Sequence, residues 1–297
     1  MVDSEGLEGD GPTAQASLWG AGHYYSPIPD LGEVRRRHVE LFESYPPSLP
    51  GIDLRSGEQL ELITQLATFY GEMPFTDAGD PSLRYKFDND FFAHGDAIVL
   101  YSMLRLHRPN RYVEIGSGWS SALTLDVRDL FFDEPLECVF VEPYPDRLDM
   151  LLRPEDHSST RVLREPLQQV WQDVVAEIAP GDFLFIDSSH VGKIGSDVLT
   201  ELHEMIPRLP PGVHVHLHDI FYPFEYPSYW VYEGRFWNEA YLLRALLTDN
   251  PKLQIDCFNS YLATFHLDEM KALLPVWAQN TGGSIWLQTR ETPQGVT

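Results

Sequence analysis

Acidic and imidazole side chains follow two apolar segments in the second half of the chain, and such side chains bind metals and move protons. Asp187 and His190 come directly after residues 183–186, and His218 and Asp219 follow a segment in which apolar residues alternate with histidines. Carboxylates and imidazoles coordinate divalent cations, and an imidazole can act as a general base near neutral pH. These residues therefore predict activation of a substrate group by a metal or a base.

A second group of residues has the composition of a ligand cradle. Glu114 ends an apolar segment, and the Gly116-Ser-Gly118 turn that follows leads into a helical pattern. Glycines allow a sharp turn and let a ligand approach the backbone, and the first turn of a helix presents free N–H groups. The charge of Glu114 disfavours a pyrophosphate and favours a cationic or hydroxyl-bearing group.

Glu142 ends the next apolar segment, 24 positions after Gly118. In doubly wound folds, a carboxylate at the tip of the second strand holds the ribose hydroxyls of a nucleoside cofactor. The glycine turn at residues 116–118 and the acid at Glu142 together therefore predict a site for an adenosine-containing ligand.

Seven segments with apolar or alternating patterns, separated by helical patterns, predict the strands that position these residues. In a parallel sheet the carboxyl ends of the strands meet at one edge, so Glu114, Glu142 and Asp187 are expected to lie together. The predicted strands are 112–115, 138–141, 160–163, 183–186, 213–218, 253–258 and 284–287.

The Val113-Glu-Ile-Gly-Ser-Gly118 and Val141-Glu-Pro143 segments resemble the first and second cofactor motifs of class I S-adenosylmethionine-dependent methyltransferases of the small-molecule type. The resemblance extends over about residues 84–287 and includes Phe185–His190 and Leu217–Pro223. It implies a Rossmann-like α/β fold, with a seven-stranded, mostly parallel sheet, helices on both faces and an antiparallel last strand. An N-terminal helical and extended arm precedes this fold.

The same resemblance assigns the cofactor residues. Glu114 and the backbone of residues 116–118 would hold the methionine part of S-adenosyl-L-methionine, and Glu142 would hold the ribose. Where the family commonly has a third glycine, this chain has Ser120 or Ser121. The full predicted cofactor-binding set is Glu114, Gly116, Ser117, Gly118, Ser120, Glu142 and Asp187.

The resemblance also implies a metal site. In similar catechol and sugar methyltransferases, an acid after the fourth strand and a pair after the fifth hold magnesium, which here implies Asp187, His218 and Asp219 as ligands. The imidazole departs from that pattern, because magnesium prefers oxygen ligands, so Mg, Mn and Fe all stay open. Without a metal, His190 or His218 would be the general base and Asp219 would orient an imidazole. The predicted catalytic residues are thus His190, His218 and Asp219.

Composition narrows the function further. The chain has 297 residues, of which 43% are hydrophobic, and 21 basic against 45 acidic residues give a net charge of −24. Such a charge repels nucleic acids and anionic membranes, so neither is an expected partner. The expected partner is a small-molecule substrate, and a homo-oligomer is left open. Two cysteines and the lack of a signal-like or membrane-spanning stretch favour a cytoplasmic location.

The expected domain organisation has three parts: a disordered lead-in at residues 1–18, an arm and helical cap at 19–83, and the Rossmann-like methyltransferase domain at 84–297. Residues 84–96 are expected to be either a lid or a packing segment. The aromatic segment 221–230 either walls a substrate site or packs on its own domain. His214 and His216 are expected to be hydrogen-bonded structural residues.

The predicted function is methyl transfer to a small hydroxylated or amine-bearing metabolite, with or without the assistance of a divalent metal. Two alternatives remain open. One is an iron-dependent redox enzyme on a methyltransferase-like frame, and the other is a catalytically silent cofactor-binding protein.

Overall fold

The computed structural model describes residues 18–291. The predicted lead-in at residues 1–18 lies outside this range except for Leu18. Internal contacts divide the chain into two compact units. One contains the residues up to Ser44 together with 228–236, and the other contains 45–227 and the residues from Trp237 onward. The predicted separation of a cap at residues 19–83 stays a prediction.

Seven strands and thirteen α-helices form in the described residues. The strands are β1 (Arg111–Ile115), β2 (Glu137–Val141), β3 (Thr160–Leu163), β4 (Phe183–Ile186), β5 (His214–His218), β6 (Leu253–Phe258) and β7 (Ser284–Thr289). The helices are α1 (Leu31–Arg36), α2 (His38–Phe42), α3 (Ser56–Leu66), α4 (His94–His107), α5 (Trp119–Phe131), α6 (Asp146–Leu151), α7 (Asp156–Ser159), α8 (Leu167–Glu177), α9 (Asp197–Thr200), α10 (Ser228–Tyr232), α11 (Glu239–Leu247), α12 (Asn259–Phe265) and α13 (Leu267–Leu273).

The strands form one sheet in the order β3-β2-β1-β4-β5-β7-β6. The neighbours from β3 to β5 pair in parallel, and β7 runs antiparallel to both β5 and β6. The predicted fold class, with a mostly parallel seven-stranded sheet and an antiparallel last strand, is therefore confirmed. The strand order reverses between β1 and β4, which is where open α/β sheets bind ligands.

The first unit is small and rich in aromatic side chains. Asp30 begins α1 by accepting the backbone N–H groups of Gly32 and Glu33 at 2.7 and 3.2 Å, as expected for an N-terminal cap. The His38 Nδ1 atom of α2 lies 2.8 Å from the Tyr232 hydroxyl of α10. These contacts join helices that are far apart in the sequence.

The three imidazoles of β5 share one buried face of the sheet. His216 stacks on Phe185 of the neighbouring strand, with ring centroids 3.8 Å apart. Burial and the neighbouring His218 hold the pKa of His216 well below its ordinary value, so its ring is neutral. Neither of its nitrogens has a hydrogen-bond partner among the described residues, so the prediction of a hydrogen-bonded structural role is wrong for His216. Ring stacking holds it in place instead.

A buried ion-pair cluster anchors the segment that precedes α4. The Arg84 guanidinium contacts Asp126 of α5 at 2.8 Å and Asp156 of α7 at 2.6 Å, and all three side chains are at most 1% exposed. Asp126 also accepts the backbone N–H groups of Arg84 and Tyr85. The cluster therefore fixes the start of this segment to two helices.

Hydrogen bonds within residues 84–96 hold the rest of the segment in one conformation. The Tyr85 hydroxyl donates to the Phe92 carbonyl at 2.6 Å. Asn89 accepts the Phe92 N–H and donates to the Lys86 and Phe92 carbonyls. Of the two expectations for this segment, these contacts favour the packing segment.

The aromatic residues at 222–226 pack on the unit that contains the sheet. Tyr222, Phe224 and Tyr226 are between 2% and 4% exposed. Tyr222 and Phe224 contact Phe258 at the end of β6, with ring centroids 5.9 and 5.4 Å apart. For these residues the structure favours the packing alternative over a substrate wall.

We expect the Arg84→Met variant to lose about 3–5 kcal/mol of unfolding free energy, because it leaves Asp126 and Asp156 buried without their cation. Urea denaturation measures this loss. The control is Arg161→Met, whose pair with Glu177 lies at the surface; its loss is expected to stay below about 1 kcal/mol. Equal losses in the two variants would contradict the stabilising role of the cluster.

Candidate active site

The glycine turn after β1 lies directly against the end of β4. Gly116 has a φ of +78°, and a Cβ atom at this position would lie 1.8 Å from the Asp187 carbonyl oxygen. The N–H of Asp187 donates to the Ile115 carbonyl at 2.8 Å, and the N–H of Gly116 donates to the Val141 carbonyl at 3.0 Å. Only glycine fits both this conformation and this contact. The ends of β1, β2 and β4 therefore meet at Gly116.

Glu142 joins the end of β2 to the same turn. Its carboxylate accepts the Ser117 N–H at 2.9 Å and the Tyr144 N–H at 2.8 Å. Each carboxylate oxygen has further lone pairs, so Glu142 can still accept hydrogen bonds from ligand hydroxyls. The two backbone bonds fix the direction in which these lone pairs point.

Glu114 lies inside the protein behind the turn. It is fully buried and accepts the Ser120 hydroxyl on Oε1, whereas Oε2 has no partner among the described residues. Burial raises the pKa of Glu114 to about 8, despite the bonds from Ser120 and Ser121 that lower it. A cation placed near Oε2 would favour the charged carboxylate.

The two serines explain why the turn does not need a third glycine. Ser121 accepts the Gly118 N–H on its hydroxyl at 3.0 Å and so caps the start of α5. Ser120 binds Glu114 from the same helical turn. Both serines are at most 3% exposed, so the start of α5 packs closely on the strand ends.

A cavity of about 430 Å³ opens beside the turn, at the carboxyl ends of β1, β2 and β4. Gly116, Glu142 and Asp187 line it, whereas the other predicted cofactor residues, Glu114, Ser117, Gly118 and Ser120, are not among its lining residues. The remaining walls include polar and aromatic side chains at the mouth. Among them are Tyr144, Gln168, Ser188, Ser189, Lys193 and Asp197.

Asp187, His218 and Asp219 come together at the next strand ends. One ligand atom from each of the three lies within 4.8 Å of the others. His190 lies beside them, with Nε2 3.4 Å from a carboxylate oxygen of Asp187 and 3.4 Å from one of Asp219. The structure therefore brings the three predicted catalytic residues and the three predicted metal ligands into one cluster.

The charges of this cluster depend on one another. Burial disfavours ionisation of Asp187, but His218 and His190 outweigh it and lower the pKa of Asp187. Burial raises the pKa of Asp219 to about 6 against the same two imidazoles. Burial also opposes charging of His218, but Asp187 and Asp219 raise the pKa of this residue. The cluster thus provides carboxylate and imidazole donors at a buried edge of the sheet.

Several residues near the cluster were not predicted from the sequence. The ring of Phe92 lies 5.3 Å from that of His218. Glu239, at the first position of α11, lies 2.9 Å from His190 Nδ1, and Glu201 accepts the Ser188 hydroxyl at 3.1 Å. In the sequence, Glu239 has the pattern of an ordinary acidic residue in the first turn of a helix. Its burial and its contact with His190 are apparent only in the structure.

A family model of known proteins matches the part of the chain that carries most of these residues. Residues 113–220 match a family model described as a methyltransferase domain. The match begins in β1 and ends one residue after Asp219, so it contains the glycine turn, Glu142 and the Asp187 cluster. The resemblance to the methyltransferase family is confirmed over these residues.

An uncharacterized protein of Archaeoglobus fulgidus is 36% identical over 127 residues, which are 42% of this chain and 58% of that protein. The chain therefore matches little more than half the length of this relative.

Three solved structures also show some similarity. The methyltransferase PaMTH1 of Podospora anserina, bound to S-adenosylhomocysteine, has a TM-score of 0.44 and 14% identity over 90% of this chain and 99% of its own. The O-methyltransferase TomG of Streptomyces achromogenes, in complex with S-adenosylmethionine, has a TM-score of 0.41 and 14% identity. The match covers 88% of this chain and 97% of TomG. An O-methyltransferase of Bacillus cereus has a TM-score of 0.42 and 13% identity, and the match covers 78% of this chain and 91% of that protein. Scores below 0.5 are too low to transfer ligands from these proteins to this chain.

The raised pKa of Glu114 predicts a pH-dependent stability. The folded protein keeps a proton that the unfolded chain releases above about pH 4.5, so the stabilisation is complete at low pH and is lost as the pH rises towards about 8. Relative to Glu114→Gln, the wild-type protein should lose on the order of 3 kcal/mol between about pH 5 and pH 8. Urea denaturation at both pH values measures the difference, and parallel profiles of the two proteins would contradict the prediction.

Proposed function

We propose that the methyltransferase domain at residues 113–220 gives this chain an S-adenosyl-L-methionine-dependent methyltransferase activity towards a small metabolite with a hydroxyl or amine group. The main support is that the Gly116 turn, Glu142 and Asp187 line one cavity. This cavity lies next to the cluster of Asp187, His218 and Asp219. Asp187 belongs to both the cavity wall and the cluster, so a methyl donor in the cavity and an acceptor at the cluster would be neighbours.

The residues around the cavity suit the proposed cofactor. Behind the turn and outside the cavity wall, Glu114 Oε2 is a buried acceptor without a partner among the described residues, and a nearby ammonium or sulfonium charge would favour its charged form. Glu142 offers acceptors for two ribose hydroxyls, and the exposed Tyr144 ring at the mouth can stack on an adenine. When bound, this cofactor supplies the methyl group as an electrophile on a positively charged sulfur.

The donor set of the second cluster suits a divalent metal. Two carboxylates and one imidazole favour manganese, iron or zinc over magnesium, which prefers oxygen ligands alone. Asp187, His218 and Asp219 would hold the ion, and its chemistry would be to lower the pKa of a bound hydroxyl group. Carboxylates at this position also attract a cationic amine substrate, so both acceptor classes stay within the proposal.

The chain itself would contribute position and proton transfer. Methyl transfer to a hydroxyl forms an O–C bond, breaks the S–C bond and releases the hydroxyl proton. Without a metal, His190 or His218 would accept that proton, and Asp219, 3.4 Å from His190 Nε2 and 3.7 Å from His218 Nε2, would orient the imidazole. The ring of Phe92 packs against that of His218, with ring centroids 5.3 Å apart.

The proposed partner is a small molecule. The net charge of −24 supports this, because it disfavours nucleic acids and anionic membranes. Within residues 18–291, none of the helices is long and apolar enough to cross a membrane.

The Asp219→Asn variant tests the reaction site. We expect it to abolish methyl transfer while the Kd for S-adenosylhomocysteine changes less than about twofold, because Asp219 lies at the cluster and not in the cavity wall. Calorimetry measures binding, and transfer of a labelled methyl group to catechol and amine test substrates measures activity. Full activity in this variant would contradict the proposed role of the cluster.

The Glu142→Ala variant tests the cofactor site. Loss of its charged hydrogen bonds should weaken S-adenosylmethionine binding by about 1–3 kcal/mol. The control is Glu155→Ala, an exposed acid outside the cavity wall, which should bind normally. Unchanged affinity in Glu142→Ala would mean that the ribose is held elsewhere.

The same assays, together with an oxygen-consumption assay, separate the alternative functions. Methylated product without oxygen consumption excludes the iron-dependent redox enzyme. Cofactor binding without product for any acceptor class supports the silent binding protein.

A further inference from the structure

We propose that Glu239 is a positioning residue of the methyl-transfer site, which acts through His190 to hold the Asp187 and Asp219 carboxylates in place. This inference rests on the proposed function. The supporting contacts all lie in the unit that contains the sheet.

The first observation is the pairing of Glu239 with His190. Glu239 is 1% exposed, and its Oε2 atom lies 2.9 Å from His190 Nδ1. Its other oxygen, Oε1, has no partner among the described residues, so the hydrogen bonding of this buried carboxylate is directed at His190. A buried carboxylate costs free energy unless it is paired, so a helix cap alone does not explain its presence.

The second observation is the placement of the other imidazole nitrogen. His190 Nε2 lies 3.4 Å from one oxygen of Asp187 and 3.4 Å from one of Asp219. Asp187 follows β4 and Asp219 follows β5, so the ring bridges the ends of two neighbouring strands. A carboxylate that binds one ring nitrogen fixes the direction in which the other nitrogen points, as in metal sites with an outer carboxylate.

The third observation is that the backbone around His190 is held by the same helix end. The N–H groups of Asn238 and Glu239 both donate to the His190 carbonyl, at 3.1 and 3.3 Å. The Asn238 side chain exchanges two hydrogen bonds with the backbone of Gly192. His190 has a φ of +58°, a left-handed conformation that a non-glycine residue adopts only when its surroundings enforce it. The start of α11 supplies those surroundings.

The fourth observation is the close packing of this contact. The ring of Trp237 lies 4.5 Å from that of His190. A Cβ atom on Gly192 would lie 2.4 Å from Leu242 Cδ1, so the loop after β4 sits directly on α11. The connection between β5 and β6 is therefore coupled to the loop that lines the cofactor cavity.

The Glu239→Met variant tests this role, because methionine fills a similar volume but accepts no strong hydrogen bond. We expect its Mn²⁺ affinity and its kcat for methyl transfer to fall by about 10–100-fold, while the Kd for S-adenosylhomocysteine stays within about twofold. Glu239→Gln keeps an acceptor oxygen and should recover much of both losses. The matched control is Glu225→Met, since Glu225 lies on the same connection but binds the Tyr241 hydroxyl.

A spectroscopic readout separates positioning from stability. In the wild-type protein, nitrogen-detected NMR should show His190 protonated at Nδ1 and hydrogen-bonded, a signal that Glu225→Met keeps and Glu239→Met loses. A lower Tm of Glu239→Met with unchanged Mn²⁺ affinity, kcat and His190 signal would overturn the inference, because Glu239 would then be only a structural residue.

Failure of the proposed function gives a different result. Wild-type protein that binds neither S-adenosylhomocysteine nor Mn²⁺ would contradict the function, whatever the variants do. Wild-type protein that binds both, with Glu239→Met indistinguishable from it in metal binding and in the His190 spectrum, would contradict the positioning role alone.

Discussion

The contact between Gly116 and the Asp187 carbonyl is the constraint on which the rest of the site depends. A Cβ atom at Gly116 would lie 1.8 Å from that oxygen, so the backbones of the β1 and β4 ends can meet only because the side chain is absent. This contact lies at the reversal of strand order, the point where an open sheet leaves a crevice. Because of this contact, the Glu142 side of the cavity lies next to the Asp187 cluster. The proposed cofactor site and the proposed acceptor site are thus parts of one edge.

Buried charge is the second feature that organises the molecule. Arg84 compensates Asp126 and Asp156 under the segment before α4, and the imidazoles of His190 and His218 compensate Asp187 and Asp219 at the sheet edge. The first cluster has its cation built in. The second cluster instead pairs its acids with imidazoles, which can release a proton or bind a metal. This difference distinguishes a structural cluster from a candidate reaction site.

The sequence predicted the sheet well because its strands are short, apolar and separated by clear helical patterns. Each predicted strand differs from the observed one by two residues at most, and the rim positions of Glu142, Asp187 and Asp219 follow from strand ends alone. The sequence also placed His190 near that rim, since only three positions separate it from the strand-end Asp187.

Other parts could not be predicted because they depend on contacts between distant residues. Glu239 is 49 positions from His190, and nothing in its neighbourhood distinguishes it from a solvated acid at the start of a helix. The hydrogen bonding expected for His216 was wrong because its side chain stacks on Phe185 across two strands. Tyr222 and Phe224 belong to an aromatic segment with the composition of a substrate wall, and only their packing on Phe258 shows that they are core.

The proposed function requires that acids at neighbouring strand ends hold one S-adenosyl nucleoside. Isothermal titration calorimetry of the full chain with S-adenosylhomocysteine, followed by competition with NAD, tests this most directly. We expect saturable binding of one S-adenosylhomocysteine per chain, which S-adenosylmethionine displaces and NAD does not. Absence of saturable binding, or displacement by NAD, would contradict it.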